Sequence, residues 1–211
     1  MTKEFKIRTK NNNVFLRVKK GHFATMHSHT NYFIDVTTQK MRLSEARAVA
    51  KELVDEYRTN TIVDTILCID GMEVIGTCIA DELTSDHYLN MNAHQTIYVV
   101  SPEYIQGGQM IFRDNLVPML AGKNVLVLAA SVTTGKSALA AIDAVNYYGG
   151  RVAGVASIFA TVEECDGHPV NSVFDPNDLG DYQSYKPHRC PFCEQGEKLD
   201  ALVNSFGYSA L

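Results

Sequence analysis

Asn124-Val-Leu-Val-Leu-Ala-Ala-Ser-Val-Thr-Thr-Gly-Lys-Ser137 carries the reading of the fold. Its first half, Asn124 to Ala130, is a continuous aliphatic run, as expected of a strand buried on both faces of a parallel sheet. Its second half, Ser131-Val-Thr-Thr-Gly-Lys-Ser137, is a polar loop that opens a helix. The first N–H groups of a helix have no acceptor inside it, and the helix dipole adds positive potential there. Ser131, Thr133, Thr134 and Ser137 supply hydroxyls, Gly135 permits close backbone approach, and Lys136 adds a charge. Together they form a site for a phosphate. The plainer reading is an ordinary polar strand-to-helix turn.

The same strand-and-helix alternation extends outward. Thr65-Ile-Leu-Cys-Ile69, Thr96-Ile-Tyr-Val-Val100 and Val152 to Phe159 are further apolar runs bounded by turn residues. Leu43, Ala46, Val49, Ala50, Leu53, Val54 and Tyr57 repeat every three to four positions, the apolar face of a helix from Leu43 to Arg58. Helices are also expected over Met72 to Leu83 and over Lys136 to Tyr148, the latter ended by Gly149. Thr30 to Thr37 reads as a strand. This pattern predicts an α/β fold, a doubly wound, mostly parallel sheet flanked by helices. The last forty or so residues are rich in Pro, Gly, Asp and Tyr and read as loops.

With 211 residues, 45% apolar and 20% charged, the chain suits one globular domain rather than disorder. A net charge of −5 argues against a protein that grips nucleic acid through phosphates. No apolar run is long enough to span a bilayer, and Met1 to Lys10 lacks the apolar middle of a signal peptide. A cytoplasmic location, with reduced cysteines and no membrane partner, is the expectation.

A strand followed by Thr133-Thr134-Gly135 and a helix resembles the phosphoribosyl diphosphate loop of the type I phosphoribosyltransferases, and within them the orotate phosphoribosyltransferases. Other stretches match in the family's order. They are Gly21-His-Phe23 with Ser28 to Asp35, Cys68-Ile-Asp-Gly71 through Ala80, Tyr148 to Val155, and Cys190-Pro-Phe-Cys193 with Gly196. The resemblance implies a phosphoribosyltransferase-like domain with an N-terminal hood (1–42), a core (43–163) and a C-terminal appendage (164–211). It implies a diphosphate-side loop at Asp70, Gly71, Met72 and Glu73, and a base side at Tyr32, Phe33 and Asp35. An active member is a pentosyltransferase of pyrimidine biosynthesis. It joins orotate to phosphoribosyl diphosphate with Mg2+, giving orotidine monophosphate, and usually works as a homodimer.

The chain departs from that pattern at three places. The acidic pair that accepts hydrogen bonds from the ribose hydroxyls is replaced by Ala129 and Ala130. Losing two charge-assisted bonds costs on the order of 3 kcal/mol or more of ribose binding. The mobile basic loop is replaced by Ser101 to Gln109, which holds Glu103 and no base. The N-terminal segment Phe23 to His29 has no lysine, and His27 and His29 read as loop histidines or as protonated substitutes. Asp70 and Glu73 put negative charge beside a polyanion, unfavourable unless Mg2+ intervenes. The expectation is a phosphoribosyl- or nucleotide-phosphate-binding protein with weak or lost transferase activity. The alternatives are an active orotate phosphoribosyltransferase and a P-loop nucleotide hydrolase, read from Ala130 and Gly135-Lys136-Ser137.

Cys190-Pro-Phe-Cys193 has the spacing of a zinc knuckle, and Cys165-Asp-Gly-His168 repeats it upstream. Cys165, His168, Cys190 and Cys193 form a candidate structural Zn2+ set, with His188 an alternative ligand and reduced thiols the plain reading. Cys68 and Cys78 read as core residues. Tyr182 and Tyr185 fit either a ligand lid or a partner surface.

Overall fold

The computed structural model describes residues 4–9, 13–85, 90–93, 95–105 and 108–211. In chain order the elements are β1 (Glu4–Arg8), β2 (Phe15–Ala24), β3 (His29–Asp35), α1 (Thr37–Met41), α2 (Leu43–Arg58), β4 (Thr65–Cys68), α3 (Glu73–Thr84) and β5 (Tyr98–Val100). There follow β6 (Glu103–Tyr104), β7 (Met110–Ile111), β8 (Asn124–Val132), α4 (Lys136–Tyr147), β9 (Arg151–Ala160), β10 (Glu164–Cys165) and β11 (His168–Phe174). The chain ends with β12 (Ser184–Tyr185), α5 (Pro191–Glu194), β13 (Ala201–Asn204) and β14 (Gly207–Ala210). These residues divide into two units, 39–173 and a discontinuous unit of 1–38 with 174–211.

In the first unit the sheet order is β10-β11-β9-β8-β4-β5. β5, β4, β8 and β9 run parallel, with Thr65 opposite Val125 and Val127 opposite Val155. This is the doubly wound α/β arrangement expected from the apolar runs. Alternate residues of each strand serve opposite faces. Leu67, Ile69, Val125, Val127 and Ala129 pack with Ala138, Ala141, Ile142 and Val145 of α4. Ile66 and Cys68 face α3, whose Gly76 sits so close that an added Cβ would lie 2.4 Å from Cys68 Sγ. On α2 the predicted stripe from Ala46 to Tyr57 is buried, while its first member Leu43 is 52% exposed. Each fully buried aliphatic side chain stabilises the fold by roughly 1.5–3 kcal/mol.

The terminal unit is a sheet in the order β12-β3-β2-β13-β14, with β1 also on β2. β2 and β3 are antiparallel, whereas β13 lies parallel to β2 with Ala201 opposite Phe23. Its core joins Phe23, Phe33 and Ala201, with Val203 and Tyr208 against them. The segment 164–211, expected to be loop-rich, also carries short strands. β10 and β11 extend the parallel sheet, and residues 174–211 share a sheet with the N-terminal segment. Strands form there because backbone groups brought inside must pair, and β2 and β3 offer unpaired edges. Among the described residues no helix is long and apolar enough to cross a membrane.

Candidate functional site

β8 runs through Val132, so Thr133, Thr134 and Gly135 alone connect it to α4. Gly135 has φ 73°, the left-handed region that favours glycine, and no side chain caps α4. The N–H groups of Lys136, Ser137 and Ala138 thus lack helical acceptors. The Thr161 hydroxyl donates to the Thr133 carbonyl at 2.7 Å, fixing the loop to the end of β9. Lys136 is a cation at the positive end of the helix dipole, a locally unfavourable placement that an anion would reverse. α2 and α3 instead carry Glu45 and Glu73 in their first turns. Thr134, Gly135 and Lys136 line one side of a pocket of about 290 Å³, with Glu164, Cys165 and Asp166 opposite. Ser131 is exposed, on the last part of β8.

The loop expected on the diphosphate side leaves β4, the strand next to β8. Asp70 (φ 61°) and Gly71 (φ 77°) are both left-handed, a strained state for the aspartate. Met72 is buried, and Glu73 opens α3. Glu73 does not stand open: the Ser101 hydroxyl donates to its carboxylate at 2.7 Å. Lys40, only 4% exposed, donates to the Asp70 carbonyl at 2.8 Å. Sequence reading missed Lys40, because α1 lies 30 residues from that loop; a lysine so near a strand-end aspartate was the available signal. Burial, with the charges of Asp70 and Glu73, pushes Tyr104 up to about 12.

Within Ser101 to Gln109, Glu103 and Tyr104 form β6, which pairs antiparallel with β7 just beyond, and Gln106 and Gly107 lie outside the described residues. Arg113, after β7, holds Glu103 through both Nε and a terminal nitrogen, the latter at 2.7 Å. Ala129 and Ala130 are each 1% exposed. Ala129 packs under α4, and strand alternation turns Ala130 to the opposite face.

On the base side, Tyr32 and Phe33 are structural. The Tyr32 hydroxyl donates to Asp181, which also pairs with Lys20, and its ring stacks on Tyr182. Phe33 belongs to the terminal core. Asp35 accepts from the Thr37 amide at 3.0 Å, ending β3. Burial pushes Tyr182 up to about 12, and Tyr185 packs edge-on against Phe192, so both support packing.

The expected metal set is corrected. Cys165 and His168 face each other across the β10–β11 hairpin, in the unit that does not hold Cys190. Asp166 and Gly167 have φ 51° and 77°, the two-residue hairpin turn that Asp-Gly favours, so the ligand-like spacing there is a turn signature. Burial, then Asp166 and Asp143, raises the Cys165 thiol, whose Sγ contacts the Gly135 carbonyl at 3.7 Å. Cys190 and Cys193 instead meet His22 and His29. His188 is exposed and outside that cluster, and His27 is also exposed. All five cysteines are free thiols, with Cys68 and Cys78 buried as expected.

No protein-family model matches the chain. It is 27% identical over 191 residues to an orotate phosphoribosyltransferase of Chlorobaculum parvum, covering 86% of each chain. A second orotate phosphoribosyltransferase, from Mycobacterium avium, is 45% identical over 67 residues, 29% of this chain and 37% of that one. Among solved structures, UMP synthase of Leishmania donovani superposes with a TM-score of 0.55 at 18% identity, covering 77% of this chain and 34% of that one. Orotate phosphoribosyltransferase of Mycobacterium tuberculosis gives 0.51 at 22%, covering 78% and 93%. Adenine phosphoribosyltransferase of Trypanosoma brucei, in complex with AMP, pyrophosphate and ribose-5-phosphate, gives 0.50 at 17%, covering 79% and 81%. The chain has the fold of the type I phosphoribosyltransferases, and in sequence it is similar to orotate phosphoribosyltransferases.

Proposed function

We propose that the chain binds a phosphoribosyl or nucleotide phosphate at Thr133–Ser137 and that its orotate phosphoribosyltransferase activity is weak or lost. The observation that carries the first half is Lys136 at the start of α4, where α2 and α3 carry glutamates in their first turns; none of the three starts has a side-chain cap. Backbone N–H groups, hydroxyls and one ammonium then hold a terminal phosphate. The phosphorylated ligands named for the trypanosomal relative are of the same class.

The second half rests on Ala129 and Ala130. Their side chains are buried in the sheet and cannot accept ribose hydroxyls. Transfer through an oxocarbenium-like state depends on positioning the ribose and neutralising the leaving diphosphate. Arg113 is committed to Glu103, and Ser101 to Glu73, so the hairpin over the second loop supplies no spare cation for that diphosphate. Mg2+ would be required there for any residual pentosyl transfer. A P-loop mechanism fits less well, because β8 stays paired through Val132 opposite Ala160, leaving too few residues to wrap a polyphosphate.

Two measurements test the reading. Titration with inorganic phosphate and with phosphoribosyl diphosphate should give binding that Lys136→Ala weakens. Steady-state assay of orotidine monophosphate formation should give little or no turnover; ordinary turnover overturns the second half, and absence of any phosphate binding overturns the first.

A further inference from the structure

We propose that His22, His29, Cys190 and Cys193 form a structural zinc site that ties the N-terminal hairpin to the C-terminal segment within the terminal unit. The four ligand atoms lie within 4.8 Å of one another. His22 Nε2 is 3.1 Å from His29 Nδ1, 3.4 Å from Cys190 Sγ and 3.7 Å from Cys193 Sγ, and Cys193 Sγ is 3.3 Å from His29 Nδ1. Zn–N bonds of about 2.0–2.1 Å and Zn–S bonds of about 2.3 Å, placed tetrahedrally, put nitrogens about 3.3 Å apart and nitrogen and sulfur about 3.6 Å apart. The observed separations match those edges.

Hydrogen bonding alone does not account for the arrangement. His22 Nδ1 lies 3.2 Å from the Glu197 carbonyl, which can only accept, so Nδ1 carries the proton and Nε2 is left with one lone pair. Three groups converge on that single lone pair. A cation among the four atoms satisfies all of them at once. A carbonyl on the far ring nitrogen is also the usual outer partner of a metal-bound histidine.

The surrounding fold is built to hold these positions. Between the pairs Lys20–Tyr32 and Phe23–Thr30 the β2–β3 register shifts, so Gly21 and His22 stand opposite Asn31 alone. Such a bulge re-aims a side chain, and here it turns His22 inward, 2% exposed. The His22 amide donates to the Asp200 carboxylate at 2.8 Å, and the Asp200 amide returns a bond to the His22 carbonyl at 2.8 Å. Phe192, between the two cysteines, lies over the His22 ring at 5.1 Å. Cys190 is 1% exposed, whereas Cys193 closes the cluster at the surface.

Elemental analysis of the full chain, purified without added metal, tests the proposal independently of any phosphate binding or turnover. About one zinc per chain is expected, and Co2+ in its place should give the absorption of a tetrahedral site with thiolate-to-metal bands. Cys193→Ser and His29→Ala should each lower zinc affinity by more than the roughly 10- to 100-fold that loss of an outer partner causes. Cys165→Ser should keep its zinc. Because a ligand variant can fail to fold, the unaltered chain is also melted with and without a strong chelator, and chelation should lower its Tm. A folded chain that neither contains nor takes up zinc overturns the proposal. So do a Cys190–Cys193 disulfide in the purified protein, Co2+ spectra without thiolate bands, and loss of zinc in Cys165→Ser.

Discussion

Two strand-to-helix turns leave the same parallel sheet and are finished in opposite ways. At the end of β4, the left-handed Asp70 and Gly71 lead into α3, and protein groups occupy the turn: Glu73 sits at the helix start with Ser101 on it, and Lys40 holds the Asp70 carbonyl. At the end of β8, Gly135 leads into α4 and Lys136 follows; neither α3 nor α4 has a side-chain cap, so the contrast lies in the charges. The first turn carries its counter-charges on its own loop and helix start; the second puts the Lys136 cation at its helix start and has a pocket beside it, with Glu164 and Asp166 on the far wall. Similar backbone shapes therefore differ in ligand capacity because of a few charges, which is why only the second is assigned a phosphate.

The largest expected effect concerns the strand before the open turn. Ala129→Asp and Ala130→Asp would each bury an uncompensated carboxylate, so each should lose about 3–5 kcal/mol in urea unfolding. Unchanged stability together with orotidine monophosphate formation would show that the positions can hold the missing acids. Next, Gly76→Ala puts a Cβ against Cys68 Sγ under the closed turn, and about 1–3 kcal/mol of destabilisation should appear as a lowered Tm. Lys136→Ala removes one charge-assisted bond at the open turn; phosphate affinity by calorimetry should fall about tenfold. Glu73→Gln removes the closed turn's dipole partner and should cost only about 0.3–1 kcal/mol. If it also creates a second phosphate site, the two turns differ by that charge alone.

The smallest effect is a pH dependence in the hairpin beside the closed turn. Arg113 hydrogen-bonds Glu103 and holds its carboxyl below the ordinary value. A depressed carboxyl stabilises the fold above its unfolded value of about 4.3, and that support fades as pH falls through the folded value. The protection of the Ile105 amide, bonded to the Gln109 carbonyl, measured relative to its intrinsic exchange rate, should fall on acidification below that range. Glu103→Gln should abolish the change.

Local signals in the chain predicted local structure well. Leu43–Arg58 and the start of α4 at Lys136 follow from periodicity and from the Thr-Thr-Gly turn, and the buried strands from their aliphatic runs. β2 was readable from the alternation of buried Leu16 and Val18 with Arg17 and Lys19, yet its basic residues and Gly21 masked it. β13 (Ala201-Leu-Val-Asn204) and β14 (Gly207-Tyr-Ser-Ala210) are only four residues each, too short for a periodic signal, and β13 is paired by the edge that β2 offers. The strand-to-helix turn proposed to hold a phosphate was legible because its parts are contiguous. The histidine–cysteine cluster was not, since His22 and Cys190 are 168 residues apart, and the nearer Cys165–His168 spacing belonged to a hairpin. Lys40 escaped notice for the same reason.

The parallel pairing of β2 with β13 joins residues 178 positions apart in the chain. During synthesis the contiguous segment 39–173 can condense as soon as it emerges, drawing on contacts of moderate sequence separation. β2 by contrast must wait, already made, until Ala201 and Leu202 are available to flank it. The terminal unit is thus the slow and late step of maturation, and a nascent chain stalled before Ala201 would expose the edge of β2 to other molecules.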